Sequence, residues 1–426
     1  MMLRSLANRG LRLPLMALAL AALPGAPAQA ADGRGTLRRL AVLLQAAPGA
    51  GVGREIAAEI HATALADLQA SGAFRQVEAA GADHREPGGG LLLKVAPRAG
   101  AAGTLLLEAL CLEPATHRIL WKRAFQGPVG AARRMAHRVA DDLVGLVTGV
   151  PGAADSAFVF AKDLPRGIRE IHAVARDGSG ERPLTAFQSL TDYPALSADG
   201  RLAVVSYKAG PPQIWAQRTP QAPLVPLSSH TPTRGMGIRD LAWSPDGRLI
   251  AFVQDTPRGL SGIQTLDPAT TARTALTPGD HLDTCPTWSP DSQRLAFVSD
   301  RAGVAQVFVQ DLHGGQPRQL TRDGAPKVAA AWSPLGDRIA VAARQDGATR
   351  LLLLAPDGTG VTEVARWSQT VRGLRWSPDG RSLLVEIQDG GRSRFLIAEP
   401  GGKVQPADGL PTGARGPLWV KLATAG

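Results

Sequence analysis

Five copies of a Trp-Ser-Pro-Asp-Gly-like segment punctuate this chain between Tyr193 and Arg381, and an internal repeat restricts the fold more than any local propensity does. The segments Tyr193 to Arg201 (YPALSADGR), Ala242 to Arg248 (AWSPDGR), Thr287 to Arg294 (TWSPDSQR), Ala331 to Arg338 (AWSPLGDR) and Arg375 to Arg381 (RWSPDGR) follow one template. Aligned on Ser197, Ser244, Ser289, Ser333 and Ser377, they are 47, 45, 44 and 44 residues apart. Each copy reads as a short apolar strand ending at the Trp, a tight turn, and an alternating run such as Leu249 to Val253 or Leu383 to Ile387. A third strand follows (Gly262 to Leu266, Gln306 to Leu312), then a polar segment such as Pro317 to Thr321 that reads as a fourth. Four strands per repeat is the arithmetic of a β-propeller blade.

Turn chemistry accounts for the motif. Pro presets φ at the first corner, Asp bonds the neighbouring backbone, and Gly supplies the positive φ that re-enters a strand. Asp246, Asp291 and Asp379 are therefore expected to shape turns, not to catalyse or bind calcium, and Trp243, Trp288, Trp332 and Trp376 to pack between neighbouring sheets. Ser156 to Ala161, Glu170 to Arg176 and Arg182 to Thr185 read as three strands lacking an inner partner. Gly416 to Leu422 (GPLWVKL) supplies one, because Trp419 follows Trp376 by 43 residues. Six blades are expected, the sixth assembled from both ends of residues 151–426, a closure that leaves no free sheet edge.

Residues 31–150 have another texture. Leu37 to Leu44 is a short apolar strand, and Arg54 to Gln69 carries Ile56, Ile60, Ala64 and Leu68 at helical spacing. Strands are expected at Phe74 to Glu78, Leu91 to Ala96, Thr104 to Glu113 and Ile119 to Phe125, then a helix from Val129 to Val147. The fold class is thus an α/β N-terminal domain followed by an all-β six-bladed propeller, with residues 149–155 (GVPGAAD) as the linker.

Residues 1–30 are set apart. Arg4, Arg9 and Arg12 precede the apolar stretch Leu13 to Leu23, and Ala28-Gln29-Ala30 is a small-x-small cleavage signal, so a secretory signal peptide cut after Ala30 is expected. Its removal lowers the formal charge from +10 to +7. No dense Lys/Arg run interleaved with aromatics is present, which argues against nucleic acid, and no direct membrane insertion is expected. Cys111 and Cys285 fall in different domains and read as two separately buried thiols in preference to one disulfide, which an oxidising compartment would also allow, with no metal or redox spacing around them. His61 and His137 lie on the two helices without a second ligand at metal spacing and read as packing or capping residues.

The order of signal peptide, small α/β domain and WSPDG-type repeat resembles the TolB family, the periplasmic component of the Tol-Pal system of Gram-negative envelopes. The likeness is strongest in Ala66 to Val77 (ADLQASGAFRQV), Ala136 to Gly152 (AHRVADDLVGLVTGVPG) and Thr284 to Asp300 (TCPTWSPDSQRLAFVSD). It implies a monomeric, non-enzymatic adaptor, without cofactor, that binds the peptidoglycan-associated lipoprotein Pal through one propeller face and communicates with TolA through its mature N-terminus. It further implies a part in outer-membrane integrity and constriction at cell division. Thr284 matches a Pal-contacting threonine of the family's motif, and the connections expected around the channel mouth are 188–192, 229–239, 277–285, 321–328, 366–372 and 408–415. Asp283, His281, His230, Arg234, Arg239, Arg322 and Arg372 complete the candidate partner-binding set. Ala31 to Thr36 (ADGRGT) is polar and glycine-rich where the family carries an apolar, strand-like stretch, which makes Pal the better supported partner.

Two other functions fit parts of the sequence. A hydrolase or lyase in the propeller would use convergent acids and histidines at the mouth, for which His230, His281, Asp240, Asp280 and Asp283 are the candidates. A peptidase would need a Gly-x-Ser-x-Gly elbow in an added domain. A glycan- or peptide-binding propeller unrelated to Tol-Pal is the remaining reading.

Overall fold

The computed structural model describes residues 39–44, 52–80, 90–227 and 236–421. The expected signal peptide, Ala31 to Thr36 and the candidates His230 and Arg234 lie outside the described residues.

The N-terminal unit is one five-stranded sheet with two helices. In chain order it comprises β1 (Arg39–Leu44), α1 (Arg54–Ala70), β2 (Gln76–Ala80), β3 (Leu91–Ala99), β4 (Thr104–Glu113), β5 (Arg118–Pro128) and α2 (Ala132–Thr148). The strand order is β2-β1-β3-β4-β5. β1 lies parallel to β2 and β3, and the β3-β4-β5 meander is antiparallel. Both helices lay their apolar stripes on one sheet face, so Ile60 and Leu68 of α1 and Val139 and Leu143 of α2 share a core with Leu93, Leu107 and Cys111. α2 starts later than its apolar pattern suggests, because Val129–Ala131 forms a separate 3-10 turn. Phe74, expected to open a strand, instead plugs this core from the loop before β2. Gly149 ends α2 in the left-handed region at φ 79° and caps it by donating its N–H to the Gly145 carbonyl.

The remainder forms six four-stranded sheets, each running outward from an inner strand. The inner strands are Thr191–Leu196 in blade 1, Ile238–Trp243 in blade 2, Thr284–Trp288 in blade 3, Lys327–Trp332 in blade 4 and Thr370–Trp376 in blade 5. Blade 6 takes its inner strand, Ala414–Val420, from the C-terminal end and pairs it with Ala157–Leu164, as the repeat spacing requires. Trp419 is buried against Phe158, with ring centroids 5.4 Å apart.

The turns behave as their chemistry dictates. The Ser244 hydroxyl donates to Asp246 at 2.6 Å and accepts the backbone N–H groups of Arg248 and Leu249, and Gly247 sits at φ 69°. In blade 4, where Leu335 replaces the Asp, Ser333 donates to Asp337. In blade 3, Ser292 stands where the other turns place Gly, at φ 60°, and its hydroxyl accepts the Asp246 N–H across the blade gap. Trp288 donates to the Ala242 carbonyl and Trp376 to that of Ala331, so these two tryptophans also stitch inner strands together, whereas the Trp243 and Trp332 indole N–H groups are buried without a partner among the described residues. These aspartates and tryptophans therefore have structural work: Ser289's hydrogen bond holds the Asp291 carboxyl below its ordinary range.

Candidate functional site: the channel mouth

Strands alternate in direction, so the Ser-Pro-Asp-Gly turns gather at one end of the propeller and the connections between blades at the other. The turn end meets the α/β unit. Arg381 of the last turn donates to the Val150 carbonyl at 2.9 Å and to the Thr148 hydroxyl. Arg133 of α2 pairs with Asp177 of blade 6 at 2.9 Å, and His137 lies between Asp67 at 2.5 Å and Asp177 at 3.5 Å. The opposite end, the mouth, is left as a surface.

The mouth loops are anchored from below by buried charge. Glu170 accepts from the Thr185 hydroxyl and from the Gln188 N–H at 2.6 Å, which fixes the approach to blade 1. Asp283, wholly buried, receives two Nη2 contacts from Arg301 at 3.1 and 3.0 Å, and the guanidinium lies 5.2 Å from the rings of both Phe297 and Phe308. The Lys327 ammonium is fully enclosed and donates to Asp323 and the Ala325 carbonyl. A charge buried without partners costs several kcal/mol, so these pairs lock each loop in one arrangement.

That geometry sorts the candidates. Thr284 opens the inner strand of blade 3 half-exposed, and His281 stands half-exposed beside Asp280 and Asp300, each 3.7 Å away. Arg239 pairs with Asp255 at 3.2 Å, while Arg322 is exposed and Arg372 reaches Gln388 at 3.2 Å from an exposed position. Asp283 needs correcting: its carboxylate is consumed by Arg301 and faces away from solvent, so it anchors the loop and offers nothing to a partner. The fold likewise separates two of the candidate catalytic residues, because His281 lies beside Asp280 and Asp300 while Asp283 turns inward. The last connection also departs from expectation. Gly409 packs on the backbone of Arg176 and Gly178, at the turn end, so of that segment Arg415 alone borders the channel.

Five apolar side chains on this face went unnoticed in the sequence. Leu190, Tyr193, Tyr207, Leu282 and Val304 are exposed large hydrophobics, and the Tyr207 N–H donates to the Leu190 carbonyl, placing the two side by side. Tyr207 and Val304 lie in hairpins between second and third blade strands, which turn at the same end as the inter-blade connections. Strand alternation in the repeat was the signal that would have found them.

Behind the mouth runs a channel of about 900 Å³ walled by all six inner strands. Each inner strand carries a register shift, and at Tyr193, Asp240, Cys285 and Gly416 the backbone enters the left-handed region, tilting the wall towards the lumen. Burial, then the Asp240 charge, pushes the Cys285 thiol up to about 12, so it stays protonated and a poor nucleophile at neutral pH. Cys285 and Cys111 lie far apart, one on the channel wall and one in the α/β core, and form no disulfide. Among the described residues no three His, Cys, Asp or Glu side chains are grouped so as to hold a metal ion.

Comparison with known proteins agrees with this architecture. The family model described as the TolB beta propeller domain matches residues 145–422. A protein TolB homolog of Chlorobium luteolum is 31% identical over 221 residues, covering 52% of this chain and 49% of the relative. The chain thus spans about half the length of that relative. A Tol-Pal system protein TolB of Anaeromyxobacter sp. (strain K) is 30% identical over 297 residues, covering 64% of this chain and 67% of the relative. The crystal structure of TolB from Acinetobacter baumannii superposes with a TM-score of 0.73 at 19% identity, over 90% of this chain and 96% of that one, which shows a shared fold. With the family's propeller model spanning all six blades and a relative matched at this identity over two thirds of its length, the chain belongs to the TolB family.

Proposed function

We propose that this protein is a periplasmic, non-enzymatic adaptor of the Tol-Pal system that binds the lipoprotein Pal with the channel mouth of its propeller. In this role it helps maintain the outer membrane and its constriction at division. The observation carrying the reading is the mouth itself: exposed Tyr193, Tyr207, Leu190, Leu282 and Val304 on loops held from below by buried ion pairs. Protein interfaces draw their affinity from aromatic and aliphatic anchors presented on a rigid backing and ringed by polar groups. Thr284, His281, Arg239, Arg322 and Arg372 supply such a rim. TolA is a second partner in this reading, engaged through the mature N-terminus after cleavage at Ala30.

Titration calorimetry of the mature protein with the soluble domain of the cognate Pal tests the assignment. A 1:1 complex is expected, weakened at least about tenfold by Tyr207→Ala combined with Leu282→Ala, which equals about 1.4 kcal/mol. Charge reversal at Arg239 and Arg322 weakens it further, with a strong salt dependence. Absence of binding by the unaltered protein overturns the reading in favour of a propeller for glycans or other peptides.

A further inference from the structure

The lumen contains one side chain that breaks the symmetry of its wall. At the position preceding the motif tryptophan, or its counterpart Leu196 in blade 1, the blades carry Ala195, Ala242, Thr287, Ala331 and Leu418, all small or neutral, and all border the channel. Blade 5 carries Arg375 there. Among the described residues its one hydrogen bond runs from Nη1 to the Leu374 carbonyl and no carboxylate pairs with it. Of the other cations at this end, Arg169 pairs with Asp163 and Asp192, Arg415 with Asp163 and Arg239 with Asp255, while Arg372, which also lines the channel, donates to the neutral Gln388. Blade 4 lines the channel with Ala329, Ala330, Ala331, Trp332 and Pro334, none of them charged, so that neighbour offers Arg375 no ionic partner.

We propose that the channel is a binding site for a carboxylate-bearing ligand whose anion pairs with Arg375. The volume of about 900 Å³ lies within the range of small-molecule and peptide pockets. The wall suits an apolar body: Pro194, Pro286, Leu241 and Leu418 border it with the motif tryptophans. A planar guanidinium with unspent N–H groups matches a carboxylate in geometry and charge. Asp240, on the blade opposite, accepts one backbone N–H from Cys285 at 3.3 Å and keeps acceptor capacity for an amide N–H at the far end of the ligand. Such a carboxylate is either a free small acid or the C-terminus of a peptide entering from the mouth.

Two probes separate these sources, each compared with its neutral amide: N-acetylphenylalanine, and N-acetyl-trialanine with a free C-terminus. Binding to the full mature protein is followed by calorimetry and by fluorescence of the channel tryptophans. At least one acid is expected to bind, with its amide at least about tenfold weaker, as the loss of a charge-assisted hydrogen bond requires. Binding of both acids points to a free small acid as sufficient, and binding of the tripeptide alone to a chain end. Arg375→Leu and Arg375→Ala, which install residues the other blades already carry, lose at least about tenfold, and Arg375→Lys keeps part of the affinity. Pal binding and the melting temperature are unchanged in these variants, which separates this site from the docking face. The proposal is overturned if neither acid binds at concentrations up to about 10 mM, if acid and amide bind alike, or if Arg375→Leu binds as the parent does.

Discussion

On the turn end of the propeller, polar side chains reach outward to the α/β unit: Arg381 to the Val150 carbonyl, Lys421 to Asp141, Asp177 to Arg133 and His137. On the mouth end, Glu170, Asp283 and Lys327 reach inward to their own loops, and the outward positions fall to Leu190, Tyr193, Tyr207 and Leu282. The same repeat builds both ends. What differs is where the charges are spent, and that difference seals one end within the molecule and leaves the other rigid, part apolar and open to a partner.

The largest test of this contrast concerns ring closure, on which both ends depend. Removing residues from Ala414 onward takes the inner strand out of blade 6 and exposes Phe158, Phe160 and Val174. Loss of the cooperative urea transition is expected, and a truncated protein that unfolds as the full chain does would contradict the closure. Trp419→Ala is the milder form, costing about 3–5 kcal/mol by urea titration. At the mouth, Asp283→Ala strands Arg301 beside two phenylalanine rings and is expected to cost about 3 kcal/mol, with faster proteolysis of the 277–283 loop. An exposed carboxylate at that position would cost almost nothing when removed, so this measurement distinguishes anchor from contact.

The smallest effect is a pH dependence at the turn end. Burial lowers the His137 pKa, but the Asp67 hydrogen bond and the charges of Asp67, Asp177 and Asp155 outweigh it, so the folded-state value lies above 6.5. A raised pKa stabilises the fold fully below the unfolded value and progressively less as pH climbs through the folded one. Stability should therefore decline as pH rises above 6.5, and His137→Gln should remove that component of the decline. A slope unchanged by the substitution would mean that His137 contributes packing alone.

The blades were legible because their grammar is local. Pro, Asp and Gly each act on the backbone within a few residues, and Trp marks where each inner strand ends, so position and count follow from spacing. The channel mouth was less legible. His281 and Arg322 were offered as candidates because connections between blades can be located from the repeat, and Thr284 because of the family resemblance, while Arg239 and Arg372 turn out to lie in the first residues of inner strands. Asp283 was misread, since nothing in its neighbourhood in sequence announces Arg301, eighteen residues later, beside two phenylalanine rings. Tyr207 and Val304 were missed because hairpin tips look alike until the direction of each strand is assigned. His137 could be placed on α2 as a packing or capping residue, but Asp67 and Asp177, which hold it, come from 70 residues before and 40 after.

By itself the sequence determined the repeat, the number of blades, the closing strand and the structural duty of the motif's aspartates and tryptophans. These are consequences of backbone sterics and apolar periodicity, which act over short distances. Only the tertiary structure decided which charges are buried, which pair with each other, and which, like Arg375, face the lumen. Burial and electrostatic pairing depend on separations in space between residues far apart in the chain, and a propeller brings six distant segments around one axis.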